Sequence, residues 1–102
     1  MTRRFTIAPA AEQDIFDIGR HVEADSPSAA HRLVAQIYDC FPRLAERPGM
    51  GHRRRDLTSL PVRFWTVRRR YMIVYRDEAM PIEIVRVLSS YRDIAAILGE
   101  VE

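Results

Sequence analysis

The sequence predicts an α+β domain of order β-α-α-β-β-β, a helical hairpin packed on a small, mainly antiparallel sheet. Three observations carry this. Two segments with helical apolar spacing fill the first half, with only a short break between them. Three short strand-like runs, joined by short turn-like links, fill the second half. The length, 102 residues, suits one domain and leaves no room for a second hydrophobic core.

The elements follow in order. Arg4 to Ala8 alternates, with Phe5 and Ile7 on one side, and reads as a first strand. Pro9 suits the first turn of a helix, where its missing N–H costs nothing. From Ala10 to about Glu23, Ala11, Ile15, Ile18 and Val22 form one apolar stripe, and Glu12, Asp14 and Asp17 lie near the positive end of the helix dipole. Asp25-Ser26-Pro27 then stops one helix and starts the next, Ser26 as N-cap and Pro27 as first helical residue. The second helix runs to about Arg47 through Ala30, Leu33, Val34, Ile37, Phe41 and Leu44, and Pro42 is expected to kink or locally break it. A short link between two amphipathic helices favours an antiparallel hairpin.

Pro48-Gly49-Met50-Gly51 is turn chemistry, and His52 to Arg55 is an irregular basic stretch. Strands are predicted at Val62 to Val67, Tyr71 to Arg76 and Ile82 to Leu88, their short links favouring antiparallel neighbours. Asp93 to Leu98 allows a short C-terminal helix, with Gly99 as its stop. Both faces of the later strands carry apolar residues: Tyr71, Ile73 and Tyr75 alternate with Met72 and Val74. One layer of two helices cannot cover both faces. Either the tail covers the second face or a partner does, and the expectation is a second side apolar and cationic enough to need a partner.

Composition narrows the function classes. No run approaches the roughly 20 apolar residues of a membrane span. The basic start, Met1-Thr-Arg-Arg, has no apolar region behind it and does not read as a secretory signal. A single cysteine, Cys40, fits a reducing compartment, so the expected location is cytoplasmic. Every basic residue is arginine, a planar, permanently charged group suited to carboxylate or phosphate. Residues 43–76 hold ten arginines against two acids, a charge of +8, and the rest holds six against twelve, a charge of −6. Such asymmetry suggests a positive surface for an anionic partner, either nucleic acid or an acidic peptide. Arg53, Arg54 and Arg55, with Arg68, Arg69 and Arg70, are the candidates for that contact, against the plain alternative of solvated basic loops.

Other residue types point to structure. His21, His31 and His52 are not spaced as metal ligands, so neither a metal nor a cofactor is expected, and the three read as surface residues. Cys40, between Ile37 and Leu44 at helical spacing, reads as a small buried side chain. Phe64 and Trp65 fall on opposite faces of one strand, and each is expected to pack.

Several separated motifs, taken in order, resemble the ParE branch of the ParE/RelE toxin superfamily. They are Ala8-Pro9-Ala10-Ala11 with Asp14-Ile15; Ser26-Pro27 with Ala29-Ala30; Phe41, Leu44-Ala45, Pro48 and Met50-Gly51; Asp56-Leu57; Val62-Arg63; Tyr71 and Ile73-Val74-Tyr75-Arg76; Ile84 with Arg86-Val87-Leu88; and Arg92-Asp93. The resemblance covers nearly the whole chain. It departs at Ser89-Ser90-Tyr91, where many relatives carry a histidine and a small residue.

The resemblance implies the toxin of a type II toxin–antitoxin system, associated with growth arrest and plasmid stabilisation, that inhibits DNA gyrase without chemistry of its own. It implies neutralisation by a ParD-like antitoxin in a hetero-oligomer, with nucleic-acid contact indirect. Two alternatives stay open: a RelE-like, ribosome-dependent mRNA endonuclease, and a non-toxic member that only binds antitoxin. In the nuclease case Arg63, Arg86, Tyr91 and Arg92 would cluster at one end of the sheet, arginines on phosphate and Tyr91 moving a proton. A tyrosine with a pKa near about 10 is a poor base without help, and the sequence offers Tyr91 no obvious histidine or lysine partner. The competing reading pairs Arg63 and Arg86 with Asp56, Glu83 or Asp93 to pin strands together.

Overall fold

The computed structural model describes residues 4–99, so the first three residues of the N-terminal reading lie outside it. Strand β1 (Phe5–Ile7) leads into helix α1 (Pro9–Glu23), then α2 (Pro27–Glu46), a single 3₁₀ turn (Pro48–Met50), strands β2 (Arg63–Val67), β3 (Tyr71–Arg76) and β4 (Ile82–Ser89), and helix α3 (Ile94–Gly99). The expected order holds and includes the short last helix. The sheet order is β1-β4-β3-β2. β2, β3 and β4 are antiparallel neighbours, and β1 is parallel to β4, with Phe5 opposite Ile82 and Ile7 opposite Ile84. Between Tyr75↔Ile84 and Val74↔Arg86 the register shifts, leaving Val85 as an extra residue in β4.

Local chemistry sets the helix ends. Ser26 Oγ accepts from the Ala29 N–H at 3.2 Å, and Pro27 follows at the first helical position. α2 continues through Pro42 without the local break that was one of the two expectations there. Pro42 is exposed and forgoes the hydrogen bond to the carbonyl four residues before it, while Phe41, Leu44 and Ala45 beside it are buried and hold the segment on the sheet.

The apolar interior is two clusters, one on each face of the sheet, which corrects the expectation of a single core. On the helical side, Ala11 and Ile15 of α1 and Leu33, Ile37, Phe41 and Leu44 of α2 pack on Ile73, Tyr75, Ile84 and Val87. On the other side, Val62, Phe64, Val74, Val85 and Leu88 are covered by Ile94 and Leu98 of α3, with Leu57 and Leu60 of the preceding loop packed against them. The chain's own tail and loop therefore seal the second face, and the expected apolar side in need of a partner does not exist there. Ile94 and Leu98, four residues apart, present one helical face, which is enough for a patch of this size. Phe64 and Trp65 both pack, Phe64 in the second cluster and Trp65 against the first.

Candidate functional site

The strand arginines are structural anchors. Arg86 Nε and Nη2 donate to Asp14 Oδ2 and Oδ1 at 2.7 and 2.8 Å, a bidentate pair with the Asp14 side chain 6 % exposed. The Val87 N–H donates to the same Asp14 Oδ2 at 2.9 Å. β1 pairs only as far as Ile84, so beyond it a carboxylate from α1 takes over the edge of β4. Arg63 donates from Nε to Asp77 Oδ2 at 2.8 Å and from Nη1 to the Gly51 carbonyl at 2.9 Å. Arg53 Nη2 reaches the same Asp77 oxygen at 3.1 Å and Glu78 at 3.3 Å. Asp77 Oδ1 is buried with no hydrogen-bond partner, and the two guanidinium charges beside its carboxylate offset that cost. Both strand arginines pair with acids, as the competing reading expected, but with Asp77 and Asp14 rather than Asp56, Glu83 or Asp93. Asp56 pairs with Arg54, which lowers its pKa; Glu83 pairs with Arg76; and the Asp93 carboxylate accepts from the Ala96 N–H.

The four residues of the nuclease constellation do not gather. Arg63 lies opposite Tyr75 at one end of β3, whereas Tyr91 and Arg92 follow Ser89, which lies opposite Tyr71 at the other. Four residues of strand, about 14 Å, separate the two ends. Tyr91 and Arg92 are exposed. They line a cleft of about 460 Å³ between α1 and the end of the sheet, together with Arg70, Tyr71 and Ser89 on one wall and Asp17, His21 and Asp25 on the other. The sequence offered Tyr91 no histidine partner, yet the fold brings His21 into the same cleft. Spacing could not show this, because 70 residues separate the two.

The two basic runs behave differently. Arg53 and Arg54 are spent on carboxylates, and Arg55 is exposed. Arg68, Arg69 and Arg70 form the exposed β2–β3 turn, where Arg68 Nε donates to Gln36 Oε1 at 2.6 Å. His21, His31 and His52 are exposed as expected, and no group of three or more His, Cys, Asp or Glu is placed to hold a metal among the described residues. Cys40 is buried, its thiol donating to the Gln36 carbonyl at 3.3 Å and its pKa pushed up by burial.

Sequence reasoning missed a second surface. The outer side of the hairpin carries an open groove of about 650 Å³, lined by Ile15, Phe16, Gly19 and Val34 and by Tyr38, with Glu12, Arg20 and Glu23 at its rim. Phe16 is 58 % exposed and Tyr38 40 %. The signal was present: Phe16 falls off the stripe formed by Ala11, Ile15 and Ile18, so a helix packed by that stripe must leave it outside.

A family model for the ParE toxin of type II toxin–antitoxin systems (parDE) matches residues 5–94. The chain belongs to the ParE toxin family. Among solved structures, one titled as the chromosomal ParDE TA system from P. aeruginosa matches with a TM-score of 0.70 at 23 % identity, over 86 % of this chain and 96 % of that one. At that identity the likeness shows the fold. No curated protein matches in sequence. The ParE-family assignment agrees with the resemblance read from the motifs, and no helix among the described residues is long and apolar enough to cross a membrane.

Proposed function

We propose that this ParE-family chain is the toxin of a type II pair, that it acts in the cytoplasm by inhibiting DNA gyrase through binding alone, and that a ParD-like antitoxin neutralises it. Membership of the ParE branch supports the target. The observation that favours binding over catalysis is the engagement of Arg63 and Arg86 with Asp77 and Asp14. A metal-free nuclease needs uncommitted cations at the scissile phosphate, and these two are already neutralised within the fold.

The hairpin groove supports the antitoxin half of the reading. An amphipathic helix from the antitoxin would set apolar side chains against Phe16, Val34 and Tyr38 and pair its charges with Arg20, Glu12 and Glu23. Such a tail would order on binding, and dimerisation of the antitoxin would give the hetero-oligomer.

Purified toxin added to gyrase in a supercoiling assay should inhibit it, and pre-incubation with the antitoxin should restore supercoiling. Full supercoiling at excess toxin would refute the target. The cleft that gathers Tyr91, Arg92, Arg70 and His21 favours a second reading, the ribosome-dependent mRNA endonuclease. It predicts cut messages in a translation extract, abolished by Tyr91→Phe; intact messages would refute it.

A further inference from the structure

The run Arg68-Arg69-Arg70 is unlike the other arginines of the chain in two respects. Its charges are not spent: among the described residues Arg69 and Arg70 are exposed and form no ion pair, and the Arg68 side chain makes only its hydrogen bond to Gln36. Its backbone is also held against preference, with φ of 52° at Arg68 and 59° at Arg69. This left-handed region is one that L residues other than glycine, asparagine and aspartate seldom occupy, and glycine at either position would remove the penalty. Strain kept at an exposed turn points to a role for the side chains displayed there.

The turn after β4 is fastened to this hairpin. The Ser90 N–H donates to the Arg70 carbonyl at 2.7 Å, and Arg70, Tyr91 and Arg92 share one cleft wall. Tyr91 is 81 % exposed, and Arg92 forms no ion pair among the described residues. Arg70, Arg92 and one uncovered aromatic ring thus line one cationic edge, with the exposed Arg68 and Arg69 next in the chain on the adjoining hairpin turn. Asp17 and Asp25 on the facing wall repel an anion from the cleft floor and confine it to the outer edge.

We propose that this edge binds single-stranded nucleic acid, with Arg68, Arg69, Arg70 and Arg92 on successive phosphates and Tyr91 stacked on an unpaired base. Guanidinium groups match phosphate oxygens in a bidentate way. The exposed ring selects the class of polyanion: an acidic peptide has no face for it to stack on, and a duplex offers no unpaired base. This goes beyond gyrase inhibition and does not depend on it, since the test below contains no gyrase.

The test is fluorescence anisotropy of the full chain with a labelled oligothymidylate of about twelve nucleotides, a duplex of the same length and a polyglutamate peptide. The single strand should bind most tightly, with a slope of log affinity against log salt of about −2 to −3 for three or four phosphates. Arg69→Gly combined with Arg70→Ala and Arg92→Ala should weaken it at least tenfold, while Arg69→Gly alone keeps or raises Tm, which separates lost binding from lost folding. Tyr91→Ala should weaken the single strand by about tenfold and leave the duplex unchanged. Binding of polyglutamate as tight as or tighter than the single strand, or single-strand affinity that survives the triple substitution, would overturn the proposal.

Discussion

Asp14→Ala would remove three hydrogen bonds at once, leaving a largely buried Arg86 guanidinium without its carboxylate and the Val87 N–H without its acceptor. Breaking a buried pair from one side costs about 3–5 kcal/mol, so urea denaturation should show a loss of that order. Tyr75 is a second anchor. Fully buried, its hydroxyl donates to the Pro48 carbonyl at 2.6 Å and accepts from the Gly51 N–H at 2.9 Å. A Cβ on Gly51 would stand 2.6 Å from that hydroxyl and 2.8 Å from the Phe64 carbonyl, so Gly51→Ala should destabilise strongly. Burial raises the Tyr75 pKa above its ordinary 10.0. Below that pH the folded and unfolded chains both keep the proton; above it the unfolded chain ionises first, and stability falls as pH rises. Tyr75→Phe should therefore remove part of the alkaline loss seen in melts above pH 10, while costing about 1–3 kcal/mol at neutral pH because the Gly51 N–H loses its acceptor. At the hairpin, Arg69→Gly should add about 1 kcal/mol of stability by relieving the left-handed backbone, read as a higher urea midpoint.

Among the elements, α3 decides whether the second sheet face is sealed. Ile94→Asp would put a charge where a side chain 6 % exposed now packs on Val85 and Leu88. Dye binding by exposed apolar surface should rise, with a stability loss of about 2–5 kcal/mol. The two hairpin helices and the three later strands were legible because their apolar residues recur at 3.6 and 2 and their ends carry Ser26, Pro27, Gly51 and Pro81. Asp14 was readable in principle, since it falls on the stripe of Ala11, Ile15 and Ile18 and so had to be buried. The partners of the anchors were not readable. Arg86 meets Asp14 across 72 residues, and Arg63 meets Asp77 only because the β2–β3 hairpin brings their ends together. Coverage of the second face by the tail was one of two readings, and two apolar residues in a six-residue helix could not decide between the tail and a partner. The unbroken course of α2 through Pro42 came from packing that outweighed local propensity.

Over the whole molecule, the excess of arginine divides into two populations. Arg53, Arg54, Arg63, Arg76 and Arg86 meet carboxylates, and among them Arg63 and Arg86 tie separate elements together. Arg69, Arg70 and Arg92 face outward, at the opposite end of the sheet from Arg63. With both sheet faces covered by the chain itself, the apolar groove outside the hairpin and this cationic edge are two surfaces open to partners among the described residues. On the proposed reading, such surfaces serve to occupy a target rather than to cut one. The most direct check is to express the chain without its antitoxin and examine chromosomal DNA and messenger RNA from the same cells as growth stops. Double-strand breaks that depend on gyrase, beside intact messages, are the predicted result. An intact chromosome beside cleaved messages, or growth that does not stop, would contradict the account.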